Sequence, residues 1–131
     1  FDLIKNQNYD LISGTRYAKG GKRYGGSLIG HSLSYLANKI IFYFTKFPLS
    51  DATTGVKMFK KEIMNNITLE SKNIGWAFAF ELSLKSYKNK NKISEIPLKS
   101  VDRLFGGSSS FKIGSWIIEY LKWFFWSFKN L

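Results

Sequence analysis

The chain has 131 residues, 20 Lys+Arg against 9 Asp+Glu for a formal charge of +11, one histidine and no cysteine. That length suits one domain, and the composition excludes a disulfide framework, a thiol nucleophile, a thiolate metal site and a His-rich metal centre. The charge points to an anionic partner, which composition leaves open among nucleic acid, a phosphate ligand and an anionic membrane surface.

Phe1 opens the sequence with no charged segment leading into an apolar one, so no signal peptide is legible. Residues 1–5 read as the tail of a helix and Asn6-Gln7-Asn8 as a polar break. Residues 9–14 read as a short strand ending at Gly14. Residues 18–27 hold four Gly and three basic side chains and read as a flexible cationic loop. From Leu28 the apolar residues Ile29, Leu33, Leu36, Ile40, Ile41 and Phe44 recur at helical spacing, and the helix should stop before Pro48. Residues 47–55 form a loop of hydroxyl and acidic side chains, 56–59 a short strand, 60–67 a short helix and 68–75 a polar loop. A helix is expected over 76–88, with Phe80, Leu84 and Tyr87 on one face, and a strand over 93–101 in which Pro97 marks an edge or a bulge. Residues 106–115 make a second Gly/Ser loop, and 116–131 a last helix. Short strands alternating with helices give an α/β class. About three strands is few for a self-sufficient sheet, which usually carries about five or six.

Five groups of residues can carry chemistry, each with a plainer alternative. Ser13-Gly14-Thr15-Arg16-Tyr17 places Arg16 at the C-terminal edge of a strand, where open α/β sheets bind ligands and where a guanidinium fork suits phosphate; a solvated arginine fits equally well. Asp51-Ala52-Thr53-Thr54-Gly55 can line a pocket or simply cap a turn. Glu81, flanked by Phe78, Phe80 and Leu82, is either a partly desolvated base or a surface glutamate on an amphipathic helix. Arg103 and Lys112 bracket a Gly/Ser stretch that can cradle an oxyanion or serve as a linker. The last helix is aromatic around most of its circumference, with Glu119, Lys122, Ser127 and Lys129 as a narrow polar stripe. Spanning ~24 Å, it falls short of the ~20 residues that cross a bilayer. It therefore fits a membrane interface, or a surface of this or another domain. The lone His31 is expected on the polar side of the first long helix.

These stretches in this order resemble the C-terminal half of a family 2 glycosyltransferase, closest to the dolichyl-phosphate mannosyltransferase-like enzymes that act on polyprenyl-phosphate lipids. The matching segments are residues 10–17, 50–59, 76–82, 95–98 and 101–103, DLISGTRY, SDATTGVKMF, WAFAFEL, EIPL and VDR. The resemblance implies a partial GT-A fold, Rossmann-like, over 1–112, followed by an amphipathic helix over 113–131 at a membrane interface. It implies transfer of a sugar from a nucleotide-sugar donor to a polyprenyl or dolichyl phosphate, or to another cell-envelope glycan acceptor, at the cytoplasmic face of a membrane. It puts Arg16 and Arg103 on substrate phosphates, Asp51 beside the reaction centre and Glu81 at the family's acidic helix position, the two catalytic candidates; the residues themselves add Thr53, Thr54 and Lys112 as substrate-binding candidates. His31 is the one candidate where relatives carry basic residues after the Gly-rich loop.

The family's D-x-D motif, which holds Mg²⁺ or Mn²⁺ under the donor diphosphate, does not occur in these 131 residues. The chain therefore reads as part of a longer enzyme and is expected to be inactive alone, with the metal belonging to the full-length protein and none bound here. A contrasting, non-enzymatic reading is a basic aromatic module for single-stranded nucleic acid. That function wants aromatics interleaved with cations on a sheet face, whereas here the aromatics cluster in helices, which disfavours it.

Overall fold

The structure, a computed structural model, describes residue 4 and residues 7–72, 75–101 and 113–131. Of the helix expected at the N-terminus only Ile4 is described, and it is helical; the loop around Arg103 and Lys112 lies outside the described residues. Strand β1 (Leu11–Thr15) is buried at every position. It forms the centre of a three-stranded sheet, with β3 (Lys57–Phe59) antiparallel on one side and β4 (Ile93–Pro97) parallel on the other. A continuous apolar-to-small run, Leu-Ile-Ser-Gly-Thr, suits a strand covered on both faces. Asp10 fixes its entry: the carboxylate takes the Lys92 N–H at 2.8 Å and the Lys60 ammonium at 3.0 Å, tying the approaches to β1, β3 and β4 together. Burial pushes the Asp10 carboxyl up, but these two partners outweigh it and hold it below the ordinary range.

Helix α1 (Leu28–Thr45) starts at Ser27, whose hydroxyl accepts the Gly30 N–H, and ends at Lys46 in the left-handed conformation two residues before Pro48. Helix α2 (Ile63–Asn66) is a single turn, α3 (Ala77–Lys88) lies against β1, and α4 (Ile113–Asn130) packs on both α1 and α3. The core joins Leu11, Ile41, Phe47 and Leu49 with Phe80, Leu82 and Leu84 of α3 and Trp123 of α4.

Four expectations change. The cationic loop contains a strand, β2 (Lys22–Tyr24), and the run 93–101 is two strands rather than one: β4 and β5 (Lys99–Val101), the latter pairing parallel with β2 in a second sheet. Pro97 cannot donate to a ladder, and the chain changes sheets just after it, at Leu98. The described residues thus hold five strands rather than about three. In α1 most of the apolar stripe faces outward: Ile29 is 67%, Leu36 57% and Phe44 69% exposed, and of its members only Ile41 is buried. Asn38 and Ile41 face inward instead. In α4 the polar stripe divides: Lys122 and Lys129 are exposed, whereas Glu119 and Ser127 are not. Both are buried beside Trp123, while Ile118, Leu121, Phe125 and Phe128 are exposed. One apolar face per helix is all that a small core can cover, and here polar side chains occupy part of the inward faces.

Gly21 matters for the connection between β1 and β2. A Cβ there would lie 2.6 Å from the Thr15 carbonyl oxygen and 2.8 Å from the Arg16 carbonyl carbon, both backbone atoms that cannot step aside. Gly21→Ala is expected to lower stability by ~1–3 kcal/mol, read as a drop in the urea midpoint. An unchanged midpoint would show that the loop does not close this tightly on β1.

Candidate functional site

The C-terminal end of β1 delivers Arg16 to a carboxylate. Asp51, with no exposed side-chain surface, receives Arg16 Nε at 2.7 Å and Nη2 at 2.9 Å on its two oxygens, and the Arg16 backbone N–H at 3.1 Å. A two-point guanidinium–carboxylate contact fixes both planes. The surroundings complete it: Thr53 Oγ1 donates to Asp51 Oδ1 at 3.1 Å, and Ser34 Oγ lies 2.7 Å from Thr53 Oγ1. Tyr17 OH donates to Ser34 Oγ at 3.0 Å, while its ring lies 5.1 Å from the Arg16 guanidinium carbon. Burial raises the Tyr17 hydroxyl above its ordinary pKa, which keeps it a donor. Asn38 spans the gap to α1: its amide donates to the Ser34 carbonyl at 2.8 Å, and its Oδ1 accepts the Ala52 N–H at 2.8 Å.

A second chain of bonds braces β1 from the other side. The Tyr17 and Ala18 N–H groups donate to Thr15 Oγ1, which lies 2.7 Å from Ser50 Oγ. The Ser50 hydroxyl and N–H both donate to the Glu95 carboxylate, at 2.8 and 2.7 Å. Lys57 on β3 reaches the same region, its ammonium donating to Ser13 Oγ at 2.6 Å and to the Ala52 carbonyl at 3.2 Å. Burial pulls this amine down to about 7, against the upward influence of Asp51 and Glu95.

Of the residues singled out from sequence, Arg16, Asp51 and Thr53 therefore meet. Thr54 is buried, and its hydroxyl accepts the Val56 N–H at 3.3 Å, a turn contact away from Arg16. His31 is on the polar side of α1, as expected, but that side is the inward one. Its ring meets Tyr17 edge-on at 5.5 Å, and its enclosed Nδ1 has no hydrogen-bond partner among the described residues. A cavity of about 250 Å³ lies beside it, lined by Arg23, Gly25, Gly26, Ser27, Leu28 and His31. Glu81 is not a surface residue, and its own partners lie on the 70–71 segment and on Lys85. It is fully buried, with the Glu70 and Ser71 N–H groups at 2.7 and 2.8 Å, the Ser71 hydroxyl at 2.6 Å and the Lys85 ammonium at 2.7 Å. Arg103 and Lys112 lie outside the described residues.

Sequence reasoning missed Ser34, Asn38, Ser50, Lys57 and Glu95. A signal existed for the first two: His31, Ser34 and Asn38 follow one another at intervals of three and four residues in a helix rich in apolar side chains, which places them on one face.

The described residues contain no group of three His, Asp or Glu side chains able to hold a metal ion. Both oxygens of Asp51 and of Glu81 are already engaged, so a divalent cation does not fit the residues on this site.

No family model matches the chain. The sequence is similar to polyprenol monophosphomannose synthase from Mycolicibacterium smegmatis, 25% identical over 120 residues that cover 84% of this chain and 45% of that protein. The chain thus spans less than half the length of this relative. A mixed α/β structure with two small sheets is compatible with part of a larger domain.

Asp51→Asn removes the counter-charge of a guanidinium that is only 15% exposed. The expected loss is about 3 kcal/mol, the lower end for a broken buried pair because Arg16 keeps some water contact. Urea unfolding of Asp51→Asn, Arg16→Met and the double variant checks it. Additive losses in the cycle would mean that the two side chains are not coupled.

Proposed function

We propose that the chain forms the phosphate-binding, acceptor side of a glycosyltransferase. In this reading the enzyme moves a sugar from a nucleotide-sugar donor to a polyprenyl phosphate or another cell-envelope glycan acceptor. The observation that carries it is the guanidinium of Arg16, held at the C-terminal edge of a buried strand by Asp51. The similarity to a polyprenol monophosphomannose synthase supports the same chemistry.

A phosphate monoester has its second pKa near ~6, so at neutral pH its oxygen is already a nucleophile. In the proposed reaction that oxygen attacks the anomeric carbon of the donor sugar. The bond from that carbon to the nucleoside diphosphate breaks, and the diphosphate leaves with the electron pair. No proton needs to be removed, so positioning and charge neutralisation carry the catalysis. Arg16 supplies the charge, and Asp51 orients it rather than acting as a base. Glu81, occupied by the 70–71 backbone, holds that loop. His31 and Thr53 flank the Arg16 cluster on the α1 and β3 sides. A metal under the donor diphosphate would require ligands other than the described residues, and no step here runs through one.

Polyprenyl phosphate in detergent micelles is expected to bind the chain at least ~10-fold more tightly than the uncharged polyprenol, one pKa-unit equivalent of charge interaction. Arg16→Ala should abolish the difference, and Arg16→Lys should not restore it, because an ammonium lacks the two-point fork. Tryptophan fluorescence titration reads both. Equal affinity for the alcohol and the phosphate would remove Arg16 from the role. Binding of a single-stranded oligonucleotide without binding of lipid phosphate would replace the reading with the nucleic-acid one.

We also infer a membrane-facing surface made by α1 and α4 together. Ile29, Leu33, Leu36 and Phe44 of α1 and Ile118, Phe125 and Phe128 of α4 are exposed, and the two faces meet where Phe44 lies 5.9 Å from Phe128. Exposed Lys39, Lys46, Lys122 and Lys129 accompany them, the combination that lets an apolar face sit in an anionic lipid interface. No helix among the described residues is long and apolar enough to cross a membrane. Sedimentation with vesicles containing phosphatidylglycerol should retain the chain and lose most of it on Phe44→Ser/Phe125→Ser. Retention of that variant at the native level would exclude this surface.

A further inference from the structure

Lys57 is a cation that the phosphate reading does not use. As a residue it is half-buried on β3, but its ammonium ends on Ser13 Oγ and the Ala52 carbonyl, both belonging to residues with no exposed surface. Ser13 Oγ in turn lies 3.3 Å from the Asp51 carbonyl oxygen. Lys57 is therefore anchored to both walls of the Asp51 loop, β1 on one side and the loop's own backbone on the other. The charged groups that act on it are Asp51 and Glu95, which favour its proton, and Arg16, which opposes it.

Arg16 has a conflict to resolve if it binds a phosphate. Its Nε and Nη2 are given to Asp51, and a ligand that takes this same two-point edge of the guanidinium shares or displaces those contacts. A fully buried carboxylate that loses its guanidinium becomes an uncompensated charge, which is strongly unfavourable. A second cation anchored to the same loop removes that obstacle.

We propose that Lys57 is the reserve counter-ion of Asp51, keeping this carboxylate compensated while Arg16 turns to a bound phosphate, and so a positioning residue for the anion site. The inference rests on the phosphate reading given above. It has a consequence in protons. With its amine near neutrality in the free chain, Lys57 is only partly charged there. An arriving anion adds negative charge and offsets the repulsion from Arg16, so the proton affinity of Lys57 rises. Anion binding near neutral pH therefore takes up a proton.

Isothermal titration with sulfate, whose charge is constant near neutrality, tests this on the native 131-residue chain, Lys57→Arg, Lys57→Met and Arg16→Ala. Repeating each titration in two buffers of different ionisation enthalpy counts the protons. The expected result is proton uptake by the native chain and its loss in Lys57→Arg, which stays charged throughout and keeps sulfate affinity. Lys57→Met should bind sulfate about tenfold more weakly, the equivalent of one pKa unit of interaction. Every other titratable side chain is unchanged in Lys57→Arg, so the difference between native and Lys57→Arg isolates Lys57. Should Lys57→Met fail to fold, that comparison carries the test alone. Sulfate binding with no proton uptake, or with the same uptake in Lys57→Arg, would overturn the role of Lys57 and leave the phosphate reading standing. Failure of sulfate to bind, or equal binding by Arg16→Ala, would overturn both.

Discussion

The structure is organised around one costly object, a carboxylate and a guanidinium removed from water. Their attraction repays desolvation only when the geometry is good and the remaining lone pairs and protons are satisfied. Asp51 meets that condition through two Arg16 nitrogens, the Arg16 backbone and the Thr53 hydroxyl. Each partner then needs its own support, and those supports come from separate parts of the chain: Ser34 and Asn38 from α1, Tyr17 from beyond β1, Lys57 from β3. The position of α1 relative to the sheet follows from this network as much as from apolar contact, since Asn38 bridges its own helix to the Ala52 N–H.

Glu81 shows the same physics put to a different use. It is as buried as Asp51, but it is satisfied by backbone N–H groups and a lysine one helical turn away instead of by an arginine fork. Backbone donors cannot leave for a ligand without unravelling the 70–71 segment. A guanidinium on a side chain can move. Two carboxylates with equal burial thus separate into one fastened to a loop backbone and one fastened mainly to a side chain. The distinction lies in the donors, not in the acids.

Much of this was legible in the sequence, and the failures have identifiable causes. Helical spacing located α1, α3 and α4 because periodicity is a local property. It could not say which face points inward. In α1 the apolar side chains form the more obvious stripe, yet Ser34 and Asn38 are drawn inward by the Thr53 hydroxyl and the Ala52 N–H, far from them in sequence. Arg16, Asp51 and Thr53 could be named singly, but their convergence depends on pairing between β1 and β3. Nothing local marks Lys57, because only the register of Ser13 with Lys57 brings its ammonium onto a buried hydroxyl. Residues 93–101 looked like a single strand because the alternation continues across Pro97. The change of sheets there is decided by partners, β1 before it and β2 after it.

That change of sheets makes Leu98 a clasp. Its N–H donates to the Thr15 carbonyl and its carbonyl accepts the Lys22 N–H, at 2.8 and 3.0 Å. Both ends of the segment between β1 and β2 are therefore fastened to a single residue, independently of what lies between them. Lengthening a loop whose ends are already fixed is cheap, ~0.6 kcal/mol for each doubling. The excursion can therefore be lengthened between Ala18 and Gly20 without loosening the hold on either end, while Tyr17 keeps its bond to Ser34 and Gly21 its close approach to β1.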